Sequence, residues 1–451
     1  MSDLMSLLTL ASGGLAAQNA GVAVASNNVA NANTEGYSRQ RIDFESIANL
    51  GGVRSGEPTR YADALLSNRI RTASGALSMA TSNARALGEL QEAVSGNGTT
   101  LDESLATMFA DLDKASASPT DQTLRQQVVA DTKALANNFN RRAAAVQEQK
   151  DESNKRVADI AEQATVLAQQ LAAANLQIQK DPTDQTEQDN RDKIANQLAQ
   201  LVGGSARIDT SGQMRYVLDG GAVVVDGKSA SSVQTSIDPT TGFATVQIVD
   251  GTVRRDVTRQ IAGGSIGADL GLGQTTIAAA QKNLDQLAYQ VTLQFNAIHS
   301  VNAGGDGISG RNMFKPSASP TGAALAMAID PGLEADPNQL ALAAAGGGVG
   351  DNRGGQALYA LAIAKNTNGD TLANAAIGLA AAVGNQVANA TADVKRDKIV
   401  SDHLDGLRDS LSGVDTNEEL TNLSKFQNAS SAMTRFISTI DAMLGDFIDK
   451  V

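Results

Sequence analysis

The chain has 451 residues, a formal charge of -13, no cysteine, no tryptophan and two histidines. Without thiols there are no disulfides, no Cys-based metal sites and no thiol catalysis. The acidic balance argues against nucleic acid and anionic lipid, which need clustered cations. With aromatics at only 3%, aromatic-lined ligand pockets are not expected, but the length suffices for several cores.

A first helix is predicted over residues 4–29. Leu4, Leu8, Ala11, Leu15, Gln18, Val22, Ala25 and Val29 alternate steps of four and three, a heptad seam broken only by Gln18. An Asn-, Thr- and Gly-rich loop follows over 31–41, where Gly36 can supply a positive φ. Residues 51–61 carry turn residues and read as a hairpin. Helices resume over 62–94 and 101–112, the second opened by a capping box of Thr100 and Glu103.

Pro119 introduces the longest helical stretch, to about residue 179, with Val157, Ile160, Ala164, Leu167, Leu171, Ala174 and Ile178 on one stripe. At 1.5 Å per residue it reaches roughly 80–90 Å, a rod that compact enzymes seldom need. Asp181-Pro182 ends it, and Ile194, Leu198 and Leu201 mark a return helix. Gly203-Gly204 then switches the period to alternation. Strands are expected at 214–218, 222–225 and 243–249, between Asp-Gly and Gly-Gly turns. Helix returns over 274–301, followed by a Gly- and Pro-rich section with one strand at 326–329, and two helices over 356–364 and 371–411. In the last helix Thr416 and Glu419 suggest a capping box. Leu423, Phe426, Ser430, Met433, Ile437, Ile440, Leu444, Phe447 and Val451 form its seam, with Ser430 as the polar break. Neither the first nor the last helix can bury its stripe alone. They pair with each other or with neighbouring copies.

Catalytic chemistry is not evident. His299 sits near a predicted helix C-terminus, where a dipole contact is the plain reading, and no spacing supports a zinc site with it or His403. The run 221–229 reads G-x5-G-K-S, one residue too long for a phosphate loop and better explained as a hairpin. Acidic pairs such as Asp111/Asp113 and Glu418/Glu419 read as solvated faces or caps. A secretory signal needs an early basic region, yet Asp3 is acidic and the first cation is Arg39. No run looks apolar enough to span a bilayer, the nearest candidate being 373–390.

The stretch Ser26-Asn27-Asn28-Val29-Ala30-Asn31-Ala32-Asn33-Thr34-Glu35-Gly36-Tyr37-Ser38-Arg39-Gln40 resembles the signature of flagellar rod, hook and hook-associated proteins. Its tail, Gly36-Tyr37-Ser38-Arg39-Gln40, is most similar to the hook-associated protein 1 (FlgK) family. The run 417–449 resembles that family's terminal helix, and Phe295-Asn296 with His299, together with 351–358, are further matches. Family members often carry Tyr where Ser430 stands.

The resemblance implies a mainly α fold with a smaller β part, in an elongated multidomain axial protein. Terminal helices (1–45 and 414–451) would form an inner coiled-coil layer, 46–202 and 265–413 a helical-bundle second domain, and 203–264 an inserted outer β domain. It also implies a non-enzymatic subunit of the junction between hook and filament, without cofactor, metal, nucleic-acid or membrane partner. Its expected partners are copies of itself, hook protein, the second junction protein, the flagellar type III export apparatus and an export chaperone on the C-terminal helix. The expected place is the extracellular flagellum, reached without a cleaved signal. The assembly interface is expected at Leu4, Leu8, Ala11, Leu15, Val22, Val29, Leu423, Phe426, Met433, Ile437, Ile440, Leu444 and Phe447. The family loop carries Asn27, Asn28, Asn31, Asn33, Thr34, Gly36, Tyr37, Ser38, Arg39 and Gln40. Another axial protein (hook or distal rod), or a surface protein whose β domain is an adhesin, are the alternatives.

Overall fold

A computed structural model describes residues 2–47, 51–96, 98–366 and 369–449. Helix α1 (Ser2–Asn31) leads into four short strands, β1 (Gln40–Arg41), β2 (Phe44–Ser46), β3 (Val53–Ser55) and β4 (Thr59–Arg60). β2 pairs with β3, and β1 with β4, both antiparallel. Three helices then open on side-chain caps. Asp63 caps α2 (Ala64–Ser95), Thr100 and Glu103 close the expected box on α3 (Leu101–Ala117), and Asp121 caps α4 (Gln122–Lys180). Each cap satisfies N–H groups that the first turn leaves open.

Along its 59 residues α4 serves two cores in succession. Its first half packs with α3 around Leu105, Met108 and Phe139, a core completed by later elements. Its second half runs beside α5 (Gln185–Val202), closing a second core through Val157, Ala164, Ala168, Leu171 and Leu198. The β island joins this second core through Met214, Tyr216, Val224 and Val246. Its strands are β5 (Ser205–Ile208), β6 (Met214–Val217), β7 (Val223–Asp226), β8 (Ser229–Ala230), β9 (Ser232–Ile237), β10 (Ala244–Asp250) and β11 (Val253–Asp256). They form two antiparallel sheets, β5-β6-β7-β8 and β11-β10-β9. The Gly-Lys-Ser run is the expected hairpin, turning at Gly227 with φ 54°.

Polar residues on one face of α4 hold both sheets by their backbones. Asn154 Nδ2 donates to Gly242 O at 2.9 Å, and its Oδ1 accepts from Ala244 N at 2.8 Å. Thr165 Oγ1 accepts from Val233 N at 2.8 Å. Asn175 Nδ2 donates to Met214 O and Gly227 O at 2.8 and 2.7 Å, while its Oδ1 accepts from Met214 N at 2.8 Å. Spacings near three helical turns put all three residues on one side of the rod.

Helix α6 (Gly264–Leu272) continues through a π turn into α7 (Ala278–His299). A loop-rich stretch follows with β12 (Asn302–Ala303), α8 (Ala323–Ala326), α9 (Pro331–Ala335), β13 (Ala343–Ala344) and α10 (Arg353–Tyr359). Phe295 lies between Phe109 and Phe314, with centroids 5.6 and 5.9 Å away. The strand expected at 326–329 is not formed. Ala326 is instead the last residue of α8, and only Ile329 bridges to Phe314. His299 is the last residue of α7, at the helix end where the sequence places it. Fully buried, it bonds Arg311 O through Nδ1 at 2.9 Å and accepts from Ala341 N at Nε2 at 3.1 Å. Burial pushes its pKa down, fixing a neutral ring that staples the loop to α7. Asn296 adds a second staple, accepting from Met313 N and Phe314 N and donating to Phe314 O.

Helix α11 (Leu372–Ser412) lies along α2, and α12 (Thr416–Ile448) returns beside α1. One expectation is corrected at α1. Part of Leu4–Asn31 reaches a mean hydropathy of 1.3, enough by length and composition to cross a membrane. Its apolarity comes from uncharged Ala, Gly, Leu and Val, and one face of it is covered by α12.

Candidate functional site

The paired α1 and α12 define the site. On α12 the predicted stripe faces α1. Ile440 is 2% exposed, and Leu423, Phe426, Met433, Ile437 and Leu444 are half-buried. The side chain of Phe447, and Val451, lie outside the described residues. On α1, Ala11 is fully buried, while Leu4, Leu8, Leu15, Val22 and Val29 are half-buried flanks. The deepest line runs instead through Ala11, Gly14, Ala17, Gly21, Val24, Ala25 and Asn28. Small residues set this line because the α12 side chains enter it. A Cβ on Gly21 would stand 2.9 Å from the Phe426 ring, and one on Gly14 would stand 3.3 Å from Met433 Cε. Phe44 meets Phe426 from the side, centroids 5.7 Å apart. The polar breaks are not gaps: Ser430 Oγ donates to Asn19 Oδ1 at 2.8 Å, and Gln18 is half-buried.

The family loop docks this helix pair on the rest of the molecule. Asn31 Nδ2 donates to Asn27 O and Oδ1, Thr34 Oγ1 donates to Asn31 Oδ1, and Gly36 turns with φ 83°. Asn33 is exposed. Asn28 is fully buried and uses all its polar capacity. Its Nδ2 donates to Gln40 O at 2.8 Å and to Glu419 Oε2 at 3.1 Å. Its Oδ1 accepts from Tyr37 OH at 2.8 Å and Gln40 N at 2.9 Å. Burial, reinforced by Asp189 and Glu419, pushes the Tyr37 hydroxyl up to about 12, so it stays a donor.

Arg39 reaches across to α12. Its Nε donates to Glu419 Oε1 at 2.8 Å and its Nη2 to Glu418 Oε1 at 2.6 Å. Here the acidic pair departs from the sequence expectation. Asp415 caps α12 through Asn417 N at 2.9 Å, which frees Glu419, only 3% exposed, for Asn28 and Arg39. Toward α5, Ser38 donates from N and Oγ to Asp189 at 2.9 and 2.8 Å. Arg60 joins Asp189 at 2.8 Å and Asp192 at 2.7 Å. One short loop therefore grips α1, α12 and α5 together. Sequence reading missed Asp189, Arg60 and Asp192, whose only signal is the charge alternation Asp189-x-Arg191-Asp192.

Outside the pair, Met5, Leu7, Leu420, Phe436, Met443 and Ile448 are exposed by 41–66%. Among the described residues no group of three or more His, Cys, Asp or Glu is arranged to hold a metal.

The family profile described as the flagellar hook-associated protein FlgK helical domain matches residues 87–314, half of the chain. The profile described as flagella basal body rod protein matches residues 8–37, on α1 and the family loop. Flagellar hook-associated protein 1 of Salmonella typhimurium is 26% identical over 332 residues, covering 69% of this chain and 59% of that protein. The chain thus spans less than two thirds of that relative's length. The Bacillus subtilis protein of the same name is 25% identical over 491 residues, covering 96% of each. A solved structure titled the flagellar hook junction protein FlgK from Burkholderia pseudomallei shares the fold, with a TM-score of 0.69 at 15% identity, covering 76% of this chain and all of that one. The chain belongs to the FlgK family of flagellar hook-associated proteins.

Proposed function

We propose that this protein is a structural subunit of the junction between hook and filament, assembling through α1 and α12 into a helical tube of copies. The observation that carries the reading is the surface left over once the two helices have paired. Phe436, Met443, Leu420 and Ile448 on α12, with Met5 and Leu7 on α1, remain exposed. Covering what each still exposes would recover roughly half of the about 1.5–3 kcal/mol that full burial of such a side chain is worth. A head-to-tail contact between copies covers such faces without closing, which builds a tube.

In this reading the inner layer is 1–45 with 414–451, the second domain 46–202 with 265–413, and the outer β domain 203–264. Hook protein and the second junction protein flank the ring. The chain travels through the flagellar type III apparatus with a chaperone on α12, takes its place outside the cell, and performs no catalysis. The names of its relatives and the loop that ties both helices to α5 support this assignment. Deleting the gene tests it. Normal hooks with flagellin lost to the medium are expected, and loss of the hooks themselves would point to a hook or rod subunit.

A further inference from the structure

Beside the family loop the helices stand in a row: α11 packs on α2, α2 on α5, and α5 on α4. Both ends of this row expose apolar side chains at helical spacing. On α11, Val400, Leu404, Leu407 and Leu411 repeat at steps of four, three and four, with Ile399 beside them. Ile399 is 70% exposed, and Val400, Leu407 and Leu411 are 45–47% exposed. The buried side of α11 is a different one, marked by Leu379, Val383, Ala390 and Ser412.

On α4 the exposed stripe is Val166, Ala173 and Leu176, while Ala164, Ala168, Leu171 and Ile178 point into the second core. Glutamines fill the gaps in it, and residues 163–179 carry no charge. The family loop sets both stripes at one level. Arg39 N donates to Ser412 O at 2.9 Å, one residue past Leu411. Ser38 holds Asp189 on α5, and the adjacent Asn190 lines one groove with Ala173 and Gln177 of α4. Both helices run toward this loop, so the stripes are parallel and end at the same height, next to the α1–α12 pair. Helices α2 and α5 stand between them, so the stripes cannot meet within one chain.

Apolar residues at steps of three and four suit a helix that meets another helix, and a contiguous exposed apolar face marks a contact. Chain order carries the α11 stripe straight into α12, where Leu420 is 51% exposed, on the face already assigned to neighbouring copies. We propose that the α11 stripe of one copy packs against the α4 stripe of the next, a second contact outside the α1–α12 layer. The two faces are unlike, so the contact runs head to tail and repeats from copy to copy. It rests on the tube reading above.

The chain has no cysteine, so cross-linking in intact flagella reads the contact. Leu407→Cys and Ala173→Cys in one chain, treated with a bismaleimide, should give a ladder of dimers and higher multimers. Each substitution alone should give none, because the contact joins unlike faces. Leu407→Asp is a second readout. Its site is exposed in the single chain, so the Tm of the purified protein should stay native, while the share of cells bearing filaments should fall at least about fivefold. The double variant present in flagella without a ladder, or native filamentation from Leu407→Asp, overturns the proposal and leaves the tube reading standing. Absence of the native chain from flagella would overturn both.

Discussion

Replacing Asn28 by aspartate isolates the loop contact with almost no change of shape. Asn28→Asp keeps the acceptor that Tyr37 OH and Gln40 N use at 2.8 and 2.9 Å. It replaces the amide nitrogen by an oxygen facing Gln40 O at 2.8 Å and Glu419 Oε2 at 3.1 Å. Gln40 O then lacks its donor, at a cost of about 1–3 kcal/mol. Two carboxylates also confront each other in a buried site. Together these cost about 3–5 kcal/mol at neutral pH. Amides of α12 exchange when α12 lifts from α1, so hydrogen exchange reads this cost directly. Protection across Thr416–Ile448 should fall by about two to four decades, or to full exchange, at pH 7. The new carboxyl is pushed above its ordinary pKa, so the penalty should fade as acid protonates it. Protection in Asn28→Asp within about threefold of the native chain at pH 7 would refute the reasoning.

Gly21→Ala sets a Cβ 2.9 Å from the Phe426 ring, so it should loosen the pair by about 1–3 kcal/mol. Gly14→Ala meets only flexible Met433 atoms at 3.3 Å, so it should be neutral or stabilising through helix propensity, and exchange rates in α12 should rank the two. In the helical core, burial and the neighbouring Asp111 carboxylate pull Asp131 up from its ordinary 3.8 to about 6. Its folded pKa is raised, so its contribution to stability is full below about pH 4 and is lost as pH rises through about 6. Asp131→Asn should therefore stabilise the protein at pH 8 and leave it unchanged near pH 4 in urea melts. A gain of equal size at both pH values would contradict that linkage. Asn175→Ala removes three hydrogen bonds from α4 to the first β sheet, and should cost about 2–4 kcal/mol by the same melts.

The long helices were legible because their apolar stripes repeat at the helical period and their caps are explicit. Thr100 with Glu103 forms as read. At the α1–α12 contact the pattern marked two helices in need of a partner but not the deepest line between them. Reading by apolarity favours Leu15 and Val22, whereas close approach selects Gly14, Ala17 and Gly21, whose merit is lack of bulk. Glu419 was taken for a local cap because the pattern cannot show that Asp415 already fills that role, and Asp111 for a solvated face although it is only 8% exposed. In the β island β6, β7 and β10 stood out by alternating Val, Met and Tyr. β5, β8, β9 and β11 did not, because their Ser, Thr, Gln and Arg residues gain order from pairing, not from local preference. Arg60 and Asp189 lie 129 residues apart; nothing in either neighbourhood announces the other.

Electron microscopy of the boundary between hook and filament, at side-chain resolution, tests the central claim most directly. The account predicts this chain in a helical ring there, with α1 and α12 innermost and Leu420, Phe436 and Met443 buried against neighbouring copies. Those side chains facing solvent in the assembled ring, or the chain lying elsewhere in the axial structure, would contradict it.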